Sequence, residues 1–309
     1  MGERVPEDNL RRGLVLQIGN DVYHVLVDGR AVLCTIRRRL VRETGSATNP
    51  VAPGDLVRLA LLEHDKGVIE EIEKRRNSFG RRAAGDRPGE QVIAANVDRI
   101  VIVFAAAEPA FRARALDRYL AVAEHSGIPC IVCLNKIDLV SPEDVQGMAA
   151  PYEEIGYRVL RTCVRTGQGV DELNAVLSGR ISVVVGPSGV GKSSLLNAVE
   201  PGIKLATGEV GKTTHRGRHT TTASRLIPLT AGGFVADTAG MREFGLWEIP
   251  ARDLAPCFRE MRPYIGRCRF SDCVHVSEPE CAVRDAVESG FIRRSRYEHY
   301  VKLVRGGPC

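Results

Sequence analysis

Several short stretches of the 309-residue chain carry residues whose types and spacing suit phosphate, base and metal chemistry. Gly186-Pro187-Ser188-Gly189-Val190-Gly191-Lys192-Ser193 fits G-x-x-x-x-G-K-[ST], and Ser194 continues into an apolar helical stretch. Glycines let backbone N–H groups curl around phosphate oxygens at the positive end of a helix. Lys192 brings a point charge to the outer phosphates, and the Ser193 hydroxyl is a ligand for Mg²⁺. A chance match in a chain of this length is about 1 in 100. Asn135-Lys136-Ile137-Asp138 closes the apolar run 128–134, at the strand end where open α/β sheets place ligand contacts. The Asp138 carboxylate can accept from both N1–H and the 2-amino group of guanine, whereas adenine has a lone pair at N1 and no 2-amino donor. Downstream, Cys163 and Val164 in the segment 162–169 end another strand and can lend backbone N–H groups to the guanine oxygen.

Asp237-Thr238-Ala239-Gly240 fits D-x-x-G, in which Asp237 holds Mg²⁺ through water and the Gly240 N–H senses the γ-phosphate. Residues 208–222 are glycine-rich and without apolar period, and end in Thr220, Thr221 and Thr222, any one of which can complete Mg²⁺ coordination. This is a candidate switch loop. After Gly240, where many nucleotide hydrolases carry a water-orienting Gln, stands Met241, whose thioether cannot position water. His219, beside the threonines, is the nearest side chain in sequence able to orient the nucleophile, with His215 as a competing candidate. Finally, Cys268, Cys273, His275 and Cys281 put three thiols and an imidazole within fourteen residues, a set suited to tetrahedral zinc. Their spacing differs from the usual zinc finger, so buried thiols without metal are the alternative. Cys257 and Cys309 are left over. Cys130 and Cys133 form a C-x-x-C inside a strand with no redox helix behind it, and read as core residues. His299, among Arg293, Arg294, Arg296 and Lys302, reads as a surface residue of a C-terminal helix.

The elements that must position these groups fall into three regions. Short β-type runs at 13–19, 21–27, 31–36, 55–62 and 67–73, joined by Gly/Asn/Asp turns, predict a small OB-like barrel over residues 1–75. Residues 76–90, with three glycines and no apolar period, predict a flexible basic linker. From 91 to 245 continuous apolar strands alternate with helical stretches at 112–125, 142–155, 170–178 and 192–199. That pattern is an α/β domain with a parallel sheet, its edge extended by a hairpin at 224–229 and 233–237. After about 245 the strand signal stops, leaving a helical, metal-binding module over 246–309.

Composition narrows the class further. An apolar content of 44% excludes a disordered chain, and nine cysteines over this length exclude a disulfide scaffold and favour a reducing compartment. No run approaches the roughly 18 apolar residues of a membrane span, and the first residues lack the apolar core of a signal peptide, so the expectation is a soluble, cytoplasmic protein. The net charge of +5 is unevenly spread, at +3 for residues 1–89, −1 for 90–250 and +3 for 251–309. Arg37, Arg38, Arg39 and Arg42, then Lys74, Arg75, Arg76, Arg81, Arg82 and Arg87, concentrate it. Such clusters suggest a polyanionic partner, with plain solvation as the alternative.

The base-reading motif at 135–138 precedes the phosphate loop at 186–193, the reverse of the order in ordinary GTPases. This circularly permuted order, between a barrel and a cysteine cluster, resembles the RsgA (YjeQ) family of small-subunit-dependent GTPases. The resemblance is carried further by Gly-Arg-His-Thr-Thr-Thr at 217–222, Asn-Val-Asp at 96–98 and Arg-Glu-Phe-Gly-Leu at 242–246, and it spans essentially the whole chain. Cys163-Val164-Arg165 stands where the family resembles Ser-Ala-Lys, and Ala239 where it usually has Pro. The resemblance implies a GTP-hydrolysing factor in late maturation of the small (30S) ribosomal subunit, binding its rRNA and activated by it. It further implies a monomer using Mg²⁺ with GTP, one structural zinc at the four Cys/His ligands, and His219 as the catalytic histidine. A P-loop ATPase or kinase acting on nucleic acid is the rival enzyme, disfavoured by Asp138. A GTP-gated RNA-binding scaffold is the rival without turnover.

Overall fold

A computed structural model describes residues 10–19, 22–43, 50–82, 90–203, 205, 225–237 and 249–306. The chain begins with β1 (Arg11–Ile18), β2 (Tyr23–Val27), β3 (Arg30–Ile36), α1 (Arg38–Glu43), β4 (Leu56–Leu62) and β5 (Lys66–Ile72). There follow β6 (Ser78–Arg82), β7 (Glu90–Ala95), β8 (Arg99–Ala105), α2 (Ala113–His125), β9 (Cys130–Asn135), α3 (Pro142–Glu153) and β10 (Val159–Thr162). Next come α4 (Val170–Leu177), β11 (Ile181–Val185), α5 (Lys192–Val199), β12 (Arg225–Pro228) and β13 (Phe234–Asp237). The last elements are α6 (Ala251–Leu254), α7 (Ala282–Glu288) and α8 (Arg294–Val304). They gather into two compact units, one of residues 1–99, 174–184 and 200–245, the other of 100–173, 185–199 and 246–309.

In the first unit β1 to β5 pair in the order β1-β2-β3-β5-β4, and β4 returns to β1, closing a five-stranded barrel. Period-two patterning drives closure: Tyr23, Val25 and Val27 of β2 point inward beside Val15, Val57, Leu59 and Ile69, while His24 faces out. The Asp28-Gly29 turn between β2 and β3 has positive φ at both residues, 48° and 79°, as a tight hairpin of matching twist requires. One acid is buried completely. Asp55 accepts from Ala52 N at 2.7 Å and from Arg75 Nε and Nη2 at 2.7 and 2.8 Å. Arg76 binds Asp98 at 2.8 Å, and both Arg37 and Arg39 reach Glu70. Arg37, Arg39, Arg75 and Arg76, which sequence alone assigns to a polyanion, are therefore engaged in ion pairs of this unit.

In this unit two sequence expectations need correction. Part of the linker predicted at 76–90 is a paired ribbon, because Ser78–Arg82 runs antiparallel to Glu90–Ala95. Side-chain amides clamp its base: Asn77 exchanges two hydrogen bonds with Val97, and Asn96 accepts from Arg76 N at 2.8 Å. Amide clamps leave no apolar period, so pattern reading passes over them. The hairpin of β12 and β13 is likewise not an edge. β13 pairs in parallel with β11, and the far side of β12 meets the barrel at Gln17↔Arg225.

In the second unit β9 lies between β8 and β10, all three parallel, with every residue of β9 buried. That is why β8 and β9 are apolar between their end residues Arg99 and Asn135. Cys130 and Cys133 belong to this core, and burial pushes both thiols up to about 12. The helix α3 starts where Ser141 accepts from Asp144 N at 3.1 Å, with Pro142 next and Glu143 and Asp144 in the first turn.

The C-terminal helices pack on α2 through Ala121, Leu254, Phe258, Met261, Val283, Ala286, Ile292 and Tyr300. Through this apolar seam runs a buried ionic network. Arg296, 4% exposed, binds Asp117 of α2, 0% exposed, and donates through Nε to Glu260 at 2.7 Å. Tyr152 Oη donates to Asp117 at 3.0 Å, and His299 Nδ1 lies 2.5 Å from the other Asp117 oxygen. His299 is thus mostly buried, not the surface residue expected, because its helix turns that face toward the acid at Asp117. At the rim Arg259 and Arg262 both reach Glu124, and Arg293 pairs with Glu154.

Candidate functional site

The phosphate loop begins one residue past β11 and ends in the first turn of α5. At Gly186 φ is 144°, and a Cβ would sit 2.0 Å from Val103 O, so no side chain fits. At Gly191 φ is 94°, and a Cβ would meet Asn135 Nδ2 at 2.4 Å. Lys192 is 8% exposed and donates to Gly186 O and Pro187 O at 2.7 and 2.6 Å, which folds its ammonium into the loop it serves. Ser188 and Gly189 form the open crest, Val190 is buried, and Ser193 and Ser194 lie half-buried at the helix start. The loop thus has backbone N–H groups, a helix N-terminus and a cation gathered for a polyphosphate.

Asn135, at the end of β9, joins this loop to the base-reading segment. Its buried amide donates to Val190 O at 2.9 Å and accepts from Thr162 Oγ1 at 3.1 Å. The next residue, Lys136, has a left-handed φ of 57° and donates through Nζ to Glu108 O. That turn brings Asp138 to face the segment after β10. Asn135, Lys136, Asp138, Leu139, Cys163, Val164, Arg165, Gly191 and Ser194 line a cavity of about 380 Å³ together with Glu108. Asp138 Oδ1 accepts from Cys163 Sγ at 3.0 Å; Oδ2 accepts from Arg165 Nε at 3.0 Å and Nη2 at 2.9 Å. The Cys163 thiol, and with smaller effect Arg165, hold this carboxyl below the usual range, which keeps it a charged acceptor for N–H donors.

Sequence reading had placed Asn135, Lys136, Asp138, Cys163, Val164 and the loop residues in one site, and all gather here. It gave no role to Thr162, which holds the Asn135 amide, or to Arg165, although both stand in the quoted segment. His219, Thr220, Thr221, Thr222 and Gly240 lie outside the described residues, as does the side chain of Asp237.

The four metal-ligand candidates converge. Their ligand atoms all lie within 4.8 Å of one another. His275 Nδ1 is 3.4 Å from each of the three sulfur atoms, and Cys268 Sγ is 3.8 Å from Cys281 Sγ. Tetrahedral zinc, with Zn–S about 2.3 Å and Zn–N about 2.0–2.1 Å, sets S···S near about 3.8 Å and S···N near about 3.5 Å, so the donor set fits. Glu278 builds the loop that presents the imidazole, accepting from Val274, Val276 and Ser277 N at 2.9, 2.9 and 3.0 Å. Tyr297 Oη donates to His275 O and Tyr300 Oη to Val274 O, at 2.8 and 2.7 Å.

A buried strand ending in Asn135-Lys136-Ile137-Asp138, followed later in the chain by a G-x-x-x-x-G-K-S loop, is the arrangement of a circularly permuted P-loop nucleotide-binding protein. The sequence matches the family described as RsgA GTPase over residues 72–247. It is 44% identical to the small ribosomal subunit biogenesis GTPase RsgA of Gemmatimonas aurantiaca, over 94% of this chain and 95% of that protein. With the protein of the same name from Moorella thermoacetica it shares 43% identity, over 94% and 96%. Among solved structures, YjeQ from Thermotoga maritima superposes with a TM-score of 0.79 at 33% identity, covering 96% of this chain and 98% of that one. YloQ, described as a circularly permuted GTPase, gives 0.75 at 29%, covering 99% and 97%. The chain belongs to the RsgA GTPase family and is a GTP hydrolase.

Proposed function

We propose that this protein hydrolyses GTP during maturation of the small (30S) ribosomal subunit in the cytoplasm, binding its rRNA and being stimulated by it. The observation that carries the nucleotide half is the Asn135 amide, which locks the base-reading strand to the phosphate loop beside a cavity of about 380 Å³. In that cavity Asp138 reads guanine N1–H and the 2-amino group, and the backbone N–H of Val164 is the donor for its oxygen; the Cys163 N–H, expected from sequence to share that role, is taken by Gln168 O at 2.9 Å. The loop from Gly186 to Ser193 holds the phosphates, with Lys192 at the outer ones. Ser193 and one of Thr220, Thr221 and Thr222, with Asp237 through water, would hold the Mg²⁺ that accompanies GTP, which would neutralise developing phosphate charge. His219 orients the attacking water, and the Gly240 N–H registers the γ-phosphate.

The remaining modules, 1–75 and 246–309, serve the RNA. Cys268, Cys273, His275 and Cys281 hold a structural zinc whose role is to fix the fold of the C-terminal module. Support for RNA contact there comes from Phe291, 75% exposed, and from Phe270, 42% exposed with the Arg269 guanidinium 5.6 Å from its ring centre. Aromatic faces beside arginines suit unpaired bases. The deciding experiment is GTP turnover with and without purified small subunits. Stimulated turnover is expected. Turnover of ATP at an equal rate, or GTP binding without turnover in either condition, overturns the reading.

A further inference from the structure

The carboxylate assigned to guanine is already held by the chain itself. Asp138 Oδ2 takes both Nε and Nη2 of Arg165, at 3.0 and 2.9 Å, while Oδ1 takes the weak donor Cys163 Sγ. A guanidinium carries a planar row of N–H donors, and so does the N1, 2-amino edge of guanine; both fit a carboxylate edge. The side chain of Arg165 is 76% exposed, against 16% for Asp138, so the arginine can swing into solvent with little loss while the acid stays in place. A residue meant to fix the Asp138 rotamer would itself be packed, as buried Cys163 is.

We propose that Arg165 is an internal competitor for Asp138: guanine displaces it on binding, and it retakes the carboxylate edge as the nucleotide departs, shortening the lifetime of bound GDP. The proposal rests on the guanine reading of Asp138 and adds an affinity-setting residue to that site. A lysine at this position offers a point charge without a planar fork and competes less well. The effect is bounded, since an exposed pair of this kind changes an equilibrium by up to about five-fold.

The test is release of GDP carrying a fluorescent group on its ribose, chased from the full-length protein by excess unlabelled GDP. Arg165→Ala is expected to slow release by about two- to five-fold, with Arg165→Lys between it and wild type. The gap between wild type and Arg165→Ala is expected to shrink as salt screens the ion pair. Release from Arg165→Ala that is as fast as wild type, or faster, overturns the proposal. A parallel variant separates the two layers. Asp138→Asn is expected to lose labelled GDP and bind labelled xanthosine diphosphate, and in that background Arg165→Ala should leave xanthosine diphosphate release unchanged. If Asp138→Asn keeps GDP as wild type does, the guanine assignment itself fails. If it loses GDP while Arg165→Ala alone releases no more slowly, only the competitor role fails.

Discussion

Replacing Arg296 by Met removes the guanidinium of the buried network while keeping a stem of similar length. Its loss strips Glu260, 6% exposed, of both guanidinium donors, and leaves fully buried Asp117 with only Tyr152 and His299. Removing one partner of a buried pair costs about 3–5 kcal/mol, because the surviving charge stays buried without compensation. At a urea slope of about 2 kcal/mol per molar, the unfolding midpoint should fall by about 2 M, followed by far-ultraviolet circular dichroism. Hydrogen exchange should show the amides of α8 losing protection first. The control is Arg293→Ala, which breaks the Arg293–Glu154 pair, 48% and 54% exposed, and should cost no more than about 1 kcal/mol. Asp117→Asn with Glu260→Gln in the Arg296→Met background should recover part of the loss by removing the stranded charges. If Arg296→Met costs no more than Arg293→Ala, burial is not what gives the network its weight.

Asp138→Asn should weaken GTP binding on the order of 10²-fold, since bonds to a charged acceptor contribute about 1.5–3 kcal/mol each, and should admit xanthine nucleotides; equilibrium titration with both checks it. Metal analysis should return about one zinc per chain, lost together with protease resistance of residues 251–309 when Cys273 and His275 are replaced or a strong chelator is added. His219→Ala should retain GTP affinity and lose stimulated turnover by about 10²–10⁴-fold, and a change of only a few-fold would remove it from the chemistry. Asn135→Ala removes the side-chain donor to Val190 O and one of the partners of the Thr162 hydroxyl, so nucleotide affinity and thermal stability should drop together in calorimetry.

The barrel and the α/β strands were legible because their signals are periodic and local: alternation in Tyr23–Val27 and unbroken apolar runs over 100–105 and 130–134. The site was legible because phosphate and base chemistry constrain residue type at fixed spacing. Polar partners distant in the chain were not. Nothing beside Arg75 announces Asp55, twenty positions away, and nothing near Asp117 announces Arg296, 179 positions on. Charge runs such as 37–39 and 74–76 therefore looked like free surface when several members close ion pairs. His299 was misread for the same reason, since an imidazole among arginines looks solvated until the acid beneath it is seen.

The link from Asn135 to Val190 also sets a schedule. Those residues stand 55 positions apart, and the base-reading strand is made first. A ribosome adding about 5–20 residues per second delivers Val190 some 3–11 s after Asn135. Throughout that interval the amide has Thr162 at most, and the carbonyl that completes it does not yet exist. In an unpermuted chain the phosphate loop would already be waiting. Here the base pocket gains the Val190 carbonyl that steadies it only once the phosphate loop has left the exit tunnel.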